Sequence, residues 1–181
     1  YSNTPAFLLG MVIERILETP LENAALERIF KPLLMSSSTF SPNGAAPTEE
    51  GIVDIVHDES ARVFAKAHTE VGHAGLFSTA PDLLNFLEHA LQHPDVRRTS
   101  NQIPHLNNFT ALGWELNQPW MGERRSMRTF GKTGFTGTSI VCDLDREVGV
   151  VILSNRTYPH RPLDTSAINI FRAAVCDIVF Q

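Results

Sequence analysis

Basic residues are scarce in this chain. Its 181 residues include 15 lysines and arginines against 20 aspartates and glutamates, for a formal net charge of −5 and a pI near 5.8. Nucleic-acid binders gather Lys and Arg into a patch that neutralises phosphates. The short cluster Arg124, Arg125 and Arg128 reads instead as a solvated strand edge, and no nucleic-acid partner is expected. Long apolar runs are lacking too. The longest is about four residues, as at 150–153, whereas a membrane-spanning helix needs about 20. Cysteine is rarer still. Cys142 and Cys176 fall in an apolar strand and an apolar helix, where they read as small buried hydrophobes rather than a disulfide or a ligand pair. The sequence also has no internal repeat and no low-complexity segment.

What remains is 43% hydrophobic and 19% charged, the composition of a globular protein at the length of one ordinary domain. Thr4-Pro5 can open a helix, because proline in the first turn loses only a donor that has no partner there. Residues 6–17 continue it. Phe7, Leu8, Leu9, Met11, Val12, Ile13, Ile16 and Leu17 cover most of the helical circumference, which predicts a helix packed inside a domain. Thr19-Pro20-Leu21-Glu22 has the spacing of a capping box and predicts a second helix to about residue 30.

Residues 35–71 hold no sustained period of either kind. A loop this long in a compact domain is usually functional. Ser78-Thr79-Ala80-Pro81-Asp82 then opens a third helix carrying Leu83, Leu84, Phe86, Leu87 and Leu91, and a loop with Pro94 and Pro104 follows. Residues 128–132, 138–143 and 148–155 read as consecutive antiparallel strands. The tail from Asp164 is helical, with Ile168, Phe171, Ala174, Val175, Ile178 and Val179 on an apolar face. The predicted class is α+β, with helices packed on an antiparallel sheet.

Two short motifs stand about 130 residues apart: Tyr1-Ser2-Asn3 and Lys132-Thr133-Gly134. Each alone is weak. Tyr1-Ser2-Asn3 leads straight into the first apolar helix, followed by Ile29-Phe30-Lys31-Pro32-Leu33. Gly72-His73-Ala74-Gly75-Leu76-Phe77-Ser78-Thr79-Ala80-Pro81-Asp82-Leu83 enters the third helix, and Gly131-Lys132-Thr133-Gly134-Phe135-Thr136-Gly137-Thr138 runs on to Val150-Val151-Ile152-Leu153-Ser154-Asn155-Arg156. In that order and context the chain resembles the serine β-lactamase and penicillin-binding-protein family of hydrolases, whose first motif, Ser-x-x-Lys, carries the nucleophile. No serine here is followed three positions later by lysine. The expectation is therefore a C-terminal portion, residues 1–181, of one β-lactamase/transpeptidase-like domain whose nucleophile lies upstream.

The resemblance implies roles for particular residues. Tyr1 would move the nucleophile's proton, its ordinary pKa of about 10 lowered by nearby cations. Asn3 would contact the substrate and the motif lysine. Lys132 would supply positive charge, and Thr133 a hydroxyl for a substrate carboxylate or the proton network. Gly134, with no Cβ, would let the strand edge approach the ligand, and the backbone N–H of Phe135 would be one oxyanion donor. The complete protein would take a small-molecule or peptide substrate, with no cofactor and no metal.

His57, Asp58, Glu59, His68 and His73 match no short zinc spacing. Ser78 with His73 and Asp82 could be drawn as a triad, but Ser78-Thr79 before a proline is better explained by capping. His73 reads as structural or as a pocket wall, and Trp114 and Trp120 as core or rim aromatics. Two functions of different class follow. One is a serine hydrolase acting on an ester, a β-lactam or a D-alanyl peptide through an acyl-enzyme. The other is a non-catalytic relative, or one half of a split protein, that binds a ligand or a partner, through self-association or a complementing N-terminal part. The compartment stays open, export of the parent protein included.

Overall fold

Pro5 sits in the first turn of helix α1 (Thr4–Leu17), as the sequence predicts, in a computed structural model that describes residues 2–101 and 110–181. Asn3, not Thr4, takes the cap position, and its side chain makes no capping bond. Helix α2 (Leu21–Ala25) runs into a π-helical turn, Leu26–Phe30. The Thr19/Glu22 capping box does not form. Pro20 is the cap residue, and the Leu21 N–H donates instead to Glu14 Oε1 of α1 at 2.9 Å. The neighbouring helix thus supplies the acceptor for one of the first-turn N–H groups of α2.

The irregular stretch contains an unforeseen helix, α3 (Glu59–Ala65), capped by Asp58, whose Oδ1 accepts the Ala61 N–H at 2.8 Å. A second short helix, α5 (Pro94–Thr99), directly follows α4 (Ala80–Gln92), where a loop was expected. Both are under eight residues, too short for an apolar period to declare itself.

The strands fall close to their predicted places: β2 (Thr129–Thr133), β3 (Ser139–Asp143) and β4 (Val148–Ile152). A two-residue strand β1 (Glu115–Leu116) adds to the β2 edge, giving an antiparallel sheet in the order β1-β2-β3-β4. The registers Lys132↔Ile140 and Val141↔Val150 set the pairing. Helix α6 (Ser166–Val179) closes the chain.

Two compact units result: one contains the chain up to Asp82 with Tyr158–His160, the other Leu83–Thr157 with Arg161–Gln181. In the second unit the period of two sorts side chains to both faces of the sheet. Phe130, Cys142 and Leu116 join Leu87 and Ala90 of α4 in one cluster, and Val141, Val150 and Ile152 join Cys176 of α6 with Phe180, Trp120 and Met121 in the other. Trp120 is thus a core residue. Both cysteines are free and buried, and burial pushes their thiols up, to about 12 for Cys142 and, with Asp177 adding to it, to about 11 for Cys176.

The first unit has a smaller cluster of Val56, Ala61 and Val71 with Phe7, Ala65, Ala74 and Phe77 around it. Its helix α1 departs from expectation. Only Gly10 is buried there, while Leu9 and Ile16 are 61% and 72% exposed. An apolar period reports that a helix has apolar sides, not that anything covers them. Among the described residues no helix is long and apolar enough to cross a membrane.

Candidate active site

In the second unit, Lys132 and Thr133 end strand β2, and Gly134 begins the turn to β3. Four sequence-predicted residues therefore sit together by chain continuity: Lys132, Thr133, Gly134 and Phe135. Lys132 Nζ donates to Glu115 Oε1 at 3.1 Å, and the other carboxylate oxygen of Glu115 accepts the Trp120 Nε1–H at 3.0 Å. A half-exposed ion pair contributes little stability, but one anchored through Trp120 sets the direction of the ammonium.

The turn is built from backbone hydrogen bonds. The Gly134 N–H donates to the Thr138 carbonyl at 2.8 Å and the Gly137 N–H to the Gly134 carbonyl at 3.2 Å. A Cβ on Gly134 would lie 2.1 Å from Thr138 Oγ1, so any side chain there would have to turn the Thr138 hydroxyl aside. Arg156 Nε donates to the Phe135 carbonyl at 2.9 Å, and the Arg161 guanidinium lies 4.3 Å from the Phe135 ring centre, within the range of a cation–π contact.

Behind the turn lies a residue that the sequence reading passed over. Arg172 of α6 is only 4% exposed, and its Nη2 donates to the Thr138 carbonyl at 2.8 Å and the Gly134 carbonyl at 3.2 Å. Its Nη1 donates to Asn169 Oδ1 at 2.9 Å. Burial, then the like charge of Arg156, draws the Arg172 guanidinium below its usual pKa range, with Glu115 opposing. The signal was present in the helical spacing: Ile168, Arg172 and Cys176 fall four residues apart, and all three are buried. Arg172→Lys keeps the charge but cannot grip two carbonyls from one planar fork. It should cost about 1.5–3 kcal/mol, measured by urea unfolding, and should speed amide exchange in the 134–138 turn. Unchanged exchange would refute the clamp.

Of the other predicted residues, Asn3 lies in the first unit. Tyr1 is outside the described residues. Asn3 directs its amide away from its own helix: the Thr4 N–H donates to Ser2 Oγ at 3.2 Å, while Asn3 Nδ2 donates to Asp58 Oδ2 over 3.4 Å. Asp58 was not singled out as a contact of Asn3 from sequence, and 55 residues of separation explain why. His73 meets Asp58 Oδ1 and Ser60 Oγ, a structural position. Ser78 Oγ lies 2.7 Å from Ser38 Oγ, and Ser38 Oγ donates to Asp82 Oδ2 at 2.8 Å; His73 takes no part, so the Ser78 triad does not assemble. Among the described residues, no group of three or more His, Cys, Asp or Glu side chains could hold a metal ion.

Comparison with known proteins gives the family and the fold. A family model described as Beta-lactamase matches residues 1–175. A curated protein of Escherichia coli O157:H7 named "Putative D-alanyl-D-alanine carboxypeptidase" is 29% identical over 90% of this chain and 46% of its own length. A protein of the same name from Salmonella typhi is 28% identical over 93% of this chain and 47% of its own. The chain thus spans about half the length of the curated relatives it matches. Among solved structures, a β-lactamase from Mycobacterium bovis superposes with a TM-score of 0.70 at 22% identity, covering 99% of this chain and 62% of that one. A β-lactamase/D-alanine carboxypeptidase from Yersinia pestis gives 0.65 at 16% identity, covering 99% and 54%. At these identities the structures speak for the fold.

Proposed function

The chain belongs to the beta-lactamase family, and from that premise we propose that it carries the supporting groups of an acyl-transfer site whose nucleophile lies in a longer polypeptide. The reaction is hydrolysis of an ester, a β-lactam or a D-alanyl peptide through an acyl-enzyme. The observation that carries this reading is the buttressed turn after β2. Lys132 is oriented by Glu115, and the 134–138 turn is clamped from behind by Arg172.

Oxyanion stabilisation depends on donors fixed before the reaction starts, so that no reorganisation is needed as charge develops. Phe135 lies inside the clamped turn, and its backbone N–H is the donor assigned here. Lys132 and Thr133 receive the substrate carboxylate or join the proton network, and Gly134 keeps the strand edge open to the ligand. Asn3 contacts the substrate and Tyr1 moves the proton. The names of the carboxypeptidase relatives favour a D-alanyl peptide among the three substrate classes.

The test is labelling with an activated phosphonate. The 181-residue chain alone should give no ester or β-lactam turnover, while the longer protein should be labelled on one serine, the first residue of a Ser-x-x-Lys motif. Turnover by the chain alone, or labelling of a serine within it, would overturn the assignment. A longer protein that lacks the motif and takes no label would leave the alternative of a binding protein or a complementing half. The outward apolar residues of α1 fit either form of association.

A further inference from the structure

Asn3 occupies the cap position of α1, where asparagine ordinarily accepts a hydrogen bond from the N–H two or three residues on. Its side chain makes no such bond. It reaches 55 residues along the chain to Asp58, so a residue type suited to local capping has been diverted to a long-range contact. Asp58 is itself held in place. Its Oδ1 accepts the Ala61 N–H at 2.8 Å and the Ser60 hydroxyl at 2.6 Å, and meets His73 Nε2 at 3.3 Å. His73 is held in turn, because Gly72 lies against the backbone of α1 at Ala6 and the His73 ring sits 6.2 Å from that of Phe7.

Ser60, His73 and Asp58 suggest a catalytic triad, but the geometry is wrong. A triad base presents one ring nitrogen to the serine and the other to the carboxylate. Here Ser60 and Asp58 both meet Nε2, and Nδ1 is buried with no partner among the described residues. The cluster anchors one carboxylate oxygen and leaves the other, Oδ2, to Asn3.

We propose that Asp58 is the positioning residue of the Asn3 carboxamide, holding one hydrogen of its nitrogen and leaving its oxygen and its second amide hydrogen for the contacts assigned to Asn3. This rests on the assignment of Asn3 to substrate contact. An ionised carboxylate only accepts, so the atom facing Asp58 must be the amide nitrogen. Burial favours the neutral acid, but hydrogen bonds from Ser60, Ala61 and His73, with the charge of His73, outweigh it and hold the Asp58 carboxyl below its ordinary range. Asp58 is therefore ionised at neutral pH. The contact takes one Nδ2 hydrogen of Asn3 and, among the described residues, no donor reaches its Oδ1.

The experiment uses the 181-residue chain and two readouts. By NMR, the Asn3 side-chain amide should be ordered in the wild type and become mobile in Asp58→Asn, which keeps a capping side chain for α3. Equal mobility in both would overturn the proposal. N-acetyl-D-alanyl-D-alanine should bind about tenfold more weakly to Asn3→Ala and to Asp58→Asn, with no further loss in the double variant, one tenfold step being about 1.4 kcal/mol. Loss of affinity in Asn3→Ala but none in Asp58→Asn would also overturn it. If the dipeptide fails to bind the wild type while the amide behaves as described, the substrate reading fails and the positioning stands. Should Asp58→Asn melt early, Asp58→Ser, which also caps but has no carboxylate, repeats both readouts.

Discussion

Asp143→Ala should remove about 3–5 kcal/mol of stability, the cost of emptying a buried charged hydrogen-bond centre. Asp143 ends β3 and is fully buried. Its carboxylate accepts the Ser126 N–H and hydroxyl, both at 3.0 Å, the Thr129 hydroxyl at 2.9 Å, and the N–H groups of Asp145 and Arg146 at 3.0 and 3.1 Å. Arg146 Nη1 closes the set at 2.8 Å. Alanine would strand the fully buried Thr129 hydroxyl and take from Ser126, Asp145 and Arg146 the acceptor they share, leaving the Ser126 N–H with Thr129 Oγ1 at 2.9 Å. Total stabilities run at about 5–15 kcal/mol, so this is a large share.

The same group sets an acid dependence. Burial raises the Asp143 pKa, but the bonds from Ser126, Thr129 and Arg146 outweigh it and leave the carboxyl below its ordinary value. A depressed carboxyl contributes its stability in full above the unfolded-state value of about 3.9 and loses it as pH falls through the folded value. Urea unfolding at a series of pH values should therefore show the gap between wild type and Asp143→Ala closing on acidification. Asp143→Asn should fall between them, because its amide nitrogen would face donors. A gap that is small at pH 7, or independent of pH, would contradict this account.

The second large effect belongs to the other unit. A Cβ placed on Gly72 would lie 2.3 Å from the carbonyl oxygen of Ala6. Backbone of α1 cannot swing aside as a side chain can, so Gly72→Ala should cost about 3 kcal/mol or more, at the upper end of overpacking penalties. It should also shift the start of α1 and with it Asn3. The contrast is Gly149→Ala, where the nearest obstacle is the end of the Leu87 side chain at 3.0 Å, and the loss should be smaller. Thermal melts and amide exchange in α1 would read both. An unaltered α1 in Gly72→Ala would show that the contact is not rigid.

Strands β2, β3 and β4 could be read from sequence to within a residue or two at most ends, since alternation is a property of neighbours in the chain. Residues 128–132 were expected and Thr129–Thr133 formed. The third strand stopped at Ile152, three residues short of the expected 155. Strand β1 carried no signal of its own, because two residues become a strand only by pairing, Glu115 with Gly131. The exposure of α1 was missed for the converse reason: its sequence encodes an apolar circumference, and burial depends on what else is present.

The candidate site divides along the same line. Tyr1, Asn3, Lys132, Thr133, Gly134 and Phe135 were chosen from short contiguous motifs, and the family match supports the context in which they were read. Glu115, Arg172 and Asp58, which orient or brace them, stand 17, 38 and 55 residues from their partners. By itself the sequence determined the family, the α+β class, the order of the main elements and the motif residues, because all of these are written in local pattern and spacing. Only the tertiary structure decided which side chains hold those motifs in position. A hydrogen bond is specified by where two groups meet in space, and for residues so far apart in the chain that meeting exists only once the fold has formed.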